Sequence, residues 1–177
     1  DATLNKDSTI ATIVGSGYHR TTKEMEKKNN SSVFTAGLNL SYHKAGWRIG
    51  ATGIFSHLSR DIRPNVTSVF RRFYAAGNNF WNVSINYAYA SHRWQLSGET
   101  ATGDCGAVAT INTASYRLTG DVDIVALQRF YSKKYYSLYS AGFSDGGKVQ
   151  NESGVYMGVN WHPSANFRLN GYFDLAY

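Results

Sequence analysis

The sequence predicts an all-β protein, an antiparallel transmembrane β-barrel of up-and-down meander type, and three observations carry that prediction. Apolar and polar residues alternate with period two along most of the chain. Short turns alternate with long polar loops, the asymmetry of outer-membrane barrels. Tryptophans fall at the ends of the predicted strands, where an amphipathic indole meets a membrane interface. Composition agrees. Of 177 residues, 15% are aromatic and only 17% are charged, with 17 Gly and 13 Tyr, so strong helix formers are scarce. A mean hydropathy of −0.37 fits a spanning strand, half of which faces a polar lumen. No apolar run of about 18 residues exists for a membrane helix.

A first strand is predicted over about 8–18, STIATIVGSGY. Next, Phe34, Ala36, Leu38, Leu40 and Tyr42 alternate up to a turn at 44–46, and Trp47, Ile49, Ala51, Gly53 and Phe55 continue after it. The pattern repeats with Trp81, Val83, Ile85, Tyr87 and Tyr89, a turn at 91–93, and then Trp94, Leu96 and Gly98. Strands near 107–117 and 122–131 follow, with no face that alternation alone identifies as apolar. A last hairpin runs Val155, Met157, Val159, Trp161, a turn through 162–166, and Phe167, Leu169, Gly171, Phe173, Leu175, Tyr177.

The short turns lie near 44–46, 91–93, 118–121 and 162–166, and long loops near 19–32, 58–79 and 132–152, with one short connection at 103–106. Trp47, Trp94 and Trp161 flank short turns and Trp81 follows a long loop, which together predict an interfacial aromatic girdle. The proposed strands are about 9–11 residues long, as a tilted spanning strand requires. Nine strands is an odd number, and single-chain bacterial barrels have an even one. The expectation is therefore a single barrel segment over 1–177, incomplete at one or both ends. The chain opens on DATLNKD with no signal peptide, so a mature or internal segment is expected.

The polar rows supply the lumen-facing candidates Asn82, Asn86, Gln95, Glu99, Arg168, Asn170 and Asp174, with Arg129 a further charge of the same kind. Charges within a spanning strand must face the lumen and find partners; a salt-bridge network filling the barrel is the expectation over a substrate site. His19, His43, His57, His92 and His162 match no metal-ligand spacing. Ser140, Ser144 and Ser153 lack a nucleophile-elbow motif, so no enzyme and no cofactor are expected. Gly15-Ser16-Gly17 and Asp145-Gly146-Gly147-Lys148 read as turns, not phosphate cradles. Cys105 is the one cysteine, which excludes an intrachain disulfide. The net charge of +6 and pI near 9.4 come from scattered residues. One basic-aromatic cluster, Arg71, Arg72, Phe73 and Tyr74, sits in a long loop. Stacking plus phosphate contact would suit single-stranded nucleic acid, and lipopolysaccharide phosphate or a partner protein suits it equally.

Four segments, ATINTASY (109–116), VALQRFYSKKYYSLYS (125–140), FSDGGKVQNESGVYMGVNW (143–161) and LNGYFDLAY (169–177), resemble the β-barrel region of large outer-membrane proteins of Bacteroidota-type bacteria. Members of that family carry an N-terminal helix-hairpin-helix (ComEA-like) domain, which has no counterpart in these residues. The resemblance implies a Gram-negative outer-membrane location, lipid and lipopolysaccharide as surroundings, and a porin-like or transport-associated barrel. Nucleic acid is not an expected partner of this segment. A secreted β-sandwich that binds glycans is the main alternative; an outer-membrane enzyme or a DNA-uptake component is a further one.

Overall fold

A computed structural model describes residues 1–67, 71–139, 141–145 and 147–177; Ser140 and Gly146 lie outside the described residues. The protein is all-β apart from one helical turn. The strands are β1 (Ala2–Leu4), β2 (Ile10–Ile13), β3 (Val33–Lys44), β4 (Trp47–Ile62), β5 (Gly77–Ala90), β6 (Trp94–Gly103), β7 (Val108–Arg117), β8 (Val122–Tyr131), β9 (Glu152–Ser164) and β10 (Phe167–Ala176), with α1 (Thr22–Met25) between β2 and β3. All ten strands belong to one sheet. Strands β3 to β10 are an antiparallel meander in chain order. The sheet does not close: β3 pairs only with β4, and β10 only with β9.

The first predicted strand is corrected. Residues 8–18 do not form a full-length strand; Ile10–Ile13 pair with Ala2–Leu4 in a small hairpin. That hairpin touches the meander through one parallel pair, Ile10 with Ile62. Its apolar residues are too few to cross a bilayer and instead fill a core under the loops, with Ala2, Ile10, Leu58, Ile62 and Phe80 all buried. Full-length strands therefore number eight, and the odd-number argument loses its premise. The turn predicted over 162–166 is also tighter, because pairing continues through Ser164 and Phe167.

Tight turns join β3 to β4, β5 to β6, β7 to β8 and β9 to β10, all at one end of the sheet. Ala45 and Gly46 both hold positive φ, at 50° and 81°, the geometry of a two-residue turn that matches strand twist. A side chain at Gly46 would also meet the Ala90 carbonyl at 2.7 Å. The longer loops 63–76 and 132–151 lie at the other end, with the β1–β2 hairpin.

Candidate functional site

Register divides the meander into two faces, because directly paired residues of antiparallel strands point the same way. One transverse row reads Gly50, Asn86, Glu99, Ile111, Arg129, Gly154 and Ala176; the next reads Arg48, Ala88, Ser97, Thr113, Leu127, Tyr156 and Asp174. Asn82, Gln95 and Asn170 stand on this same polar face, opposite Gly103, Ser115 and Asn160. Arg168 lies at a register shift between Phe167 and Leu169.

The opposite face is apolar and uncovered. Leu38, Leu40 and Ile85 are each about two-thirds exposed (66%, 65% and 65%). Among the described residues, no Asp, Glu, Lys or Arg stands on it between its two aromatic rows. At the turn end Trp47 packs on Tyr89, Trp94 on Tyr116 and Trp161 on Phe167. At the loop end Trp81 stands opposite Phe55. Register also settles the two strands that alternation left open: Val108, Ala114, Tyr116, Val122, Ile124, Ala126 and Phe130 share the apolar face. Thr100, Thr110, Asn112 and Gln128 interrupt it. Their polar atoms meet one another, with Asn112 donating to Gln128 at 2.9 Å and the Tyr87 hydroxyl donating to Asn112 at 3.0 Å. Tyr87 reaches Asn112 across Gly98, where a Cβ would lie 2.4 Å from the Asn112 oxygen.

The charged centre of the polar face is Arg129, which is fully buried. Its guanidinium passes over Gly154 on β9 and makes a two-pronged pair with Asp174 on β10, at 2.8 and 3.1 Å. Its Nε donates to Glu152. The passage exists because Gly154 has no side chain; a Cβ there would lie 2.8 Å from the Arg129 Cζ. Both Glu152 oxygens in turn accept from the backbone N–H of Asp145, at 3.1 and 3.0 Å. Burying an ionic group demands this density of partners. Glu99 takes no part in the cluster; it lines a cavity of about 260 Å³ with Ile111, Tyr131, Tyr135 and Tyr139. Sequence reasoning missed Glu152 and the chain segment it holds. The available signal was a run of tyrosines, Tyr131, Tyr135, Tyr136 and Tyr139, too aromatic for a solvent-exposed loop.

Tyr131, Tyr135 and Tyr136 turn inward, while Tyr139 stays exposed. Tyr131 and Tyr135 are buried with Ala107 and Ala109, and Tyr136 meets Phe80 edge-on at 6.1 Å. Burial pushes the Tyr135 hydroxyl above the ordinary tyrosine range, and does so more strongly for Tyr136, which also donates to Asp104. The basic-aromatic cluster is tied to its neighbours: Phe73 accepts through its carbonyl from Gln150 at 3.0 Å, and Lys148 sits 4.0 Å above the Tyr74 ring. Its aromatic members therefore bridge two loops of this chain. The histidines do not converge: His19 pairs with Asp1, His57 with Asn79, and His162 stands 4.0 Å from Asp123. No group of three metal-ligating side chains occurs among the described residues. No family model matches the chain, and no curated protein or solved structure matches it.

Proposed function

We propose that this chain forms part of the wall of a β-barrel in a Gram-negative outer membrane, with its apolar face toward lipid and its polar face toward a lumen. The protein acts there as a passive pore or transport-associated barrel, with no catalytic role. One observation carries the reading: among the described residues, a single-layer, eight-strand meander has one exposed face with no Asp, Glu, Lys or Arg between its two aromatic rows. A water-soluble protein would cover a surface of that extent with another layer. Lipid covers it without one.

Backbone groups in a bilayer must all be paired, so the free edges of β3 and β10 need strand partners there. Those two edges run antiparallel to each other. An eight-stranded barrel has an interior just wide enough for side chains, whereas the loop 132–151 lies upon this polar face. That favours adjoining strands in a larger barrel. The basic residues of the loop end, among them Arg71, Arg72, Lys133 and Lys134, suit the phosphates of lipopolysaccharide.

The test is expression in a Gram-negative host, followed by membrane fractionation and gel migration with and without heating. The expected result is an outer-membrane protein that needs detergent for extraction and migrates faster before boiling. A detergent-free, soluble monomer with no heat-dependent shift overturns the proposal.

A further inference from the structure

We infer that the loop 132–151 is the size-limiting element of the lumen, held across it by Arg129 as a positioning residue; this rests on the barrel reading above. The loop leaves β8 and crosses the polar face instead of rising away from the sheet. Tyr135 packs against β7, and Asn82 on β5 donates to the Tyr136 carbonyl at 3.4 Å. Leu138 joins the core around Leu58 and Phe80. The Tyr139 hydroxyl lies 3.3 Å from the Thr35 hydroxyl on β3, the far edge of the meander. One arm of the loop therefore spans the sheet from β8 to β3.

The returning arm is fastened at its base. The Tyr131 hydroxyl donates to the Phe143 carbonyl at 2.9 Å, and the Phe143 ring stands 4.9 Å from the Arg129 guanidinium carbon. Gln150 donates to the carbonyls of Lys133 and Phe73. The Asp145 N–H is held by Glu152, which Arg129 also holds. Ion pairs thus join Asp174, Arg129 and Glu152, and a backbone hydrogen bond carries the chain on from Glu152 to the Asp145 N–H, from the wall into the loop. The arginine is buried within the wall, so its positive charge is spent on wall and loop and not on a passing solute.

Within the loop Tyr135 is only 3% exposed and packs against Ala109 of the wall, whereas Tyr139 and Phe143 stay exposed beside it. A segment laid over the polar face of a barrel occupies lumen cross-section, so what passes is set by the space left beside it. Toward the turn end the same face is open, lined by Arg48, Ala88, Gln95, Ser97, Thr113 and Ser115. The narrow part of the path is therefore at the loop end.

The experiment uses the full-length protein in planar bilayers, with conductance read in potassium chloride, and in liposomes, with swelling read in neutral sugars of increasing size. Wild type is expected to conduct weakly and to admit only the smallest sugars. Arg129→Ala, and separately a variant with 133–150 replaced by a short Gly-Ser turn, are expected to raise conductance several-fold and admit larger sugars. Arg129→Lys should restore part of the restriction. The shortened loop leaves every strand intact and serves if Arg129→Ala does not fold, as judged by heat-dependent migration. Inserted, heat-modifiable variants with wild-type conductance and size limit overturn the inference. A wild-type protein that does not insert removes the barrel reading itself, and the inference with it.

Discussion

At the turn end, Arg48, Gln95 and Ser115 stand on the polar face beside an open cavity, whereas at the loop end the meander carries Leu58, Phe80, Ala109 and Arg129 beneath other segments. Among the described residues, every buried apolar side chain, and the buried Ser56 and Arg129, belongs to the loop end. Strand alternation alone makes a two-faced surface, and a surface buries nothing by itself. Burial comes from the pieces between strands: the β1–β2 hairpin, loop 63–76 and loop 132–151. The loop end thus has buried contacts of its own, while the polar face of the turn end stays open.

Arg129→Ala tests that contrast most strongly. It strands Glu152 and Asp174 without their partner, and breaking a buried ion pair costs about 3–5 kcal/mol. Urea unfolding of the detergent-folded protein should show the loss, and a change below about 1 kcal/mol, the scale of exposed pairs, would place the arginine outside any loop-end core. Ile10→Ala comes next. Ile10 is wholly buried, and such a truncation costs roughly 2–5 kcal/mol. Protease sensitivity across residues 1–30 should rise while β3 to β10 stay protected; equal exposure of the turn end would merge the two regions into one cooperative unit. The smallest effect belongs to Arg48→Ala, within about 0.5 kcal/mol for a surface change. A loss as large as that of Arg129→Ala would show that the turn end has a core of its own.

Much of the meander was legible because period-two alternation is a local property. The hairpins around 44–46, 91–93 and 162–166 each show five or so alternating apolar residues, and register places them on one face. The stretch 8–18 misled for the same reason: Ile10, Ile13 and Val14 look like strand, but nothing local states that the strand ends at Ile13. In β8, apolar residues fall on both faces, Val122 and Ile124 on one and Val125 and Leu127 on the other, so alternation could not assign Arg129. Only its neighbours on β9 and β10 do that. The site is spread over Arg129, Glu152 and Asp174, and no motif links residues 45 positions apart. The course of loop 132–151 is likewise a tertiary fact, set by where its tyrosines find cover.

Gly154 also ties the ion cluster to strand alignment. A one-residue slip of a strand turns every side chain to the opposite face, so a slipped β9 would set Ser153 or Val155 beneath the guanidinium of Arg129. Neither leaves the gap through which the arginine reaches Asp174. A one-residue misalignment of β9 therefore forgoes the contact of the guanidinium with Asp174. A position without a side chain thereby makes one ion cluster conditional on the alignment of three strands.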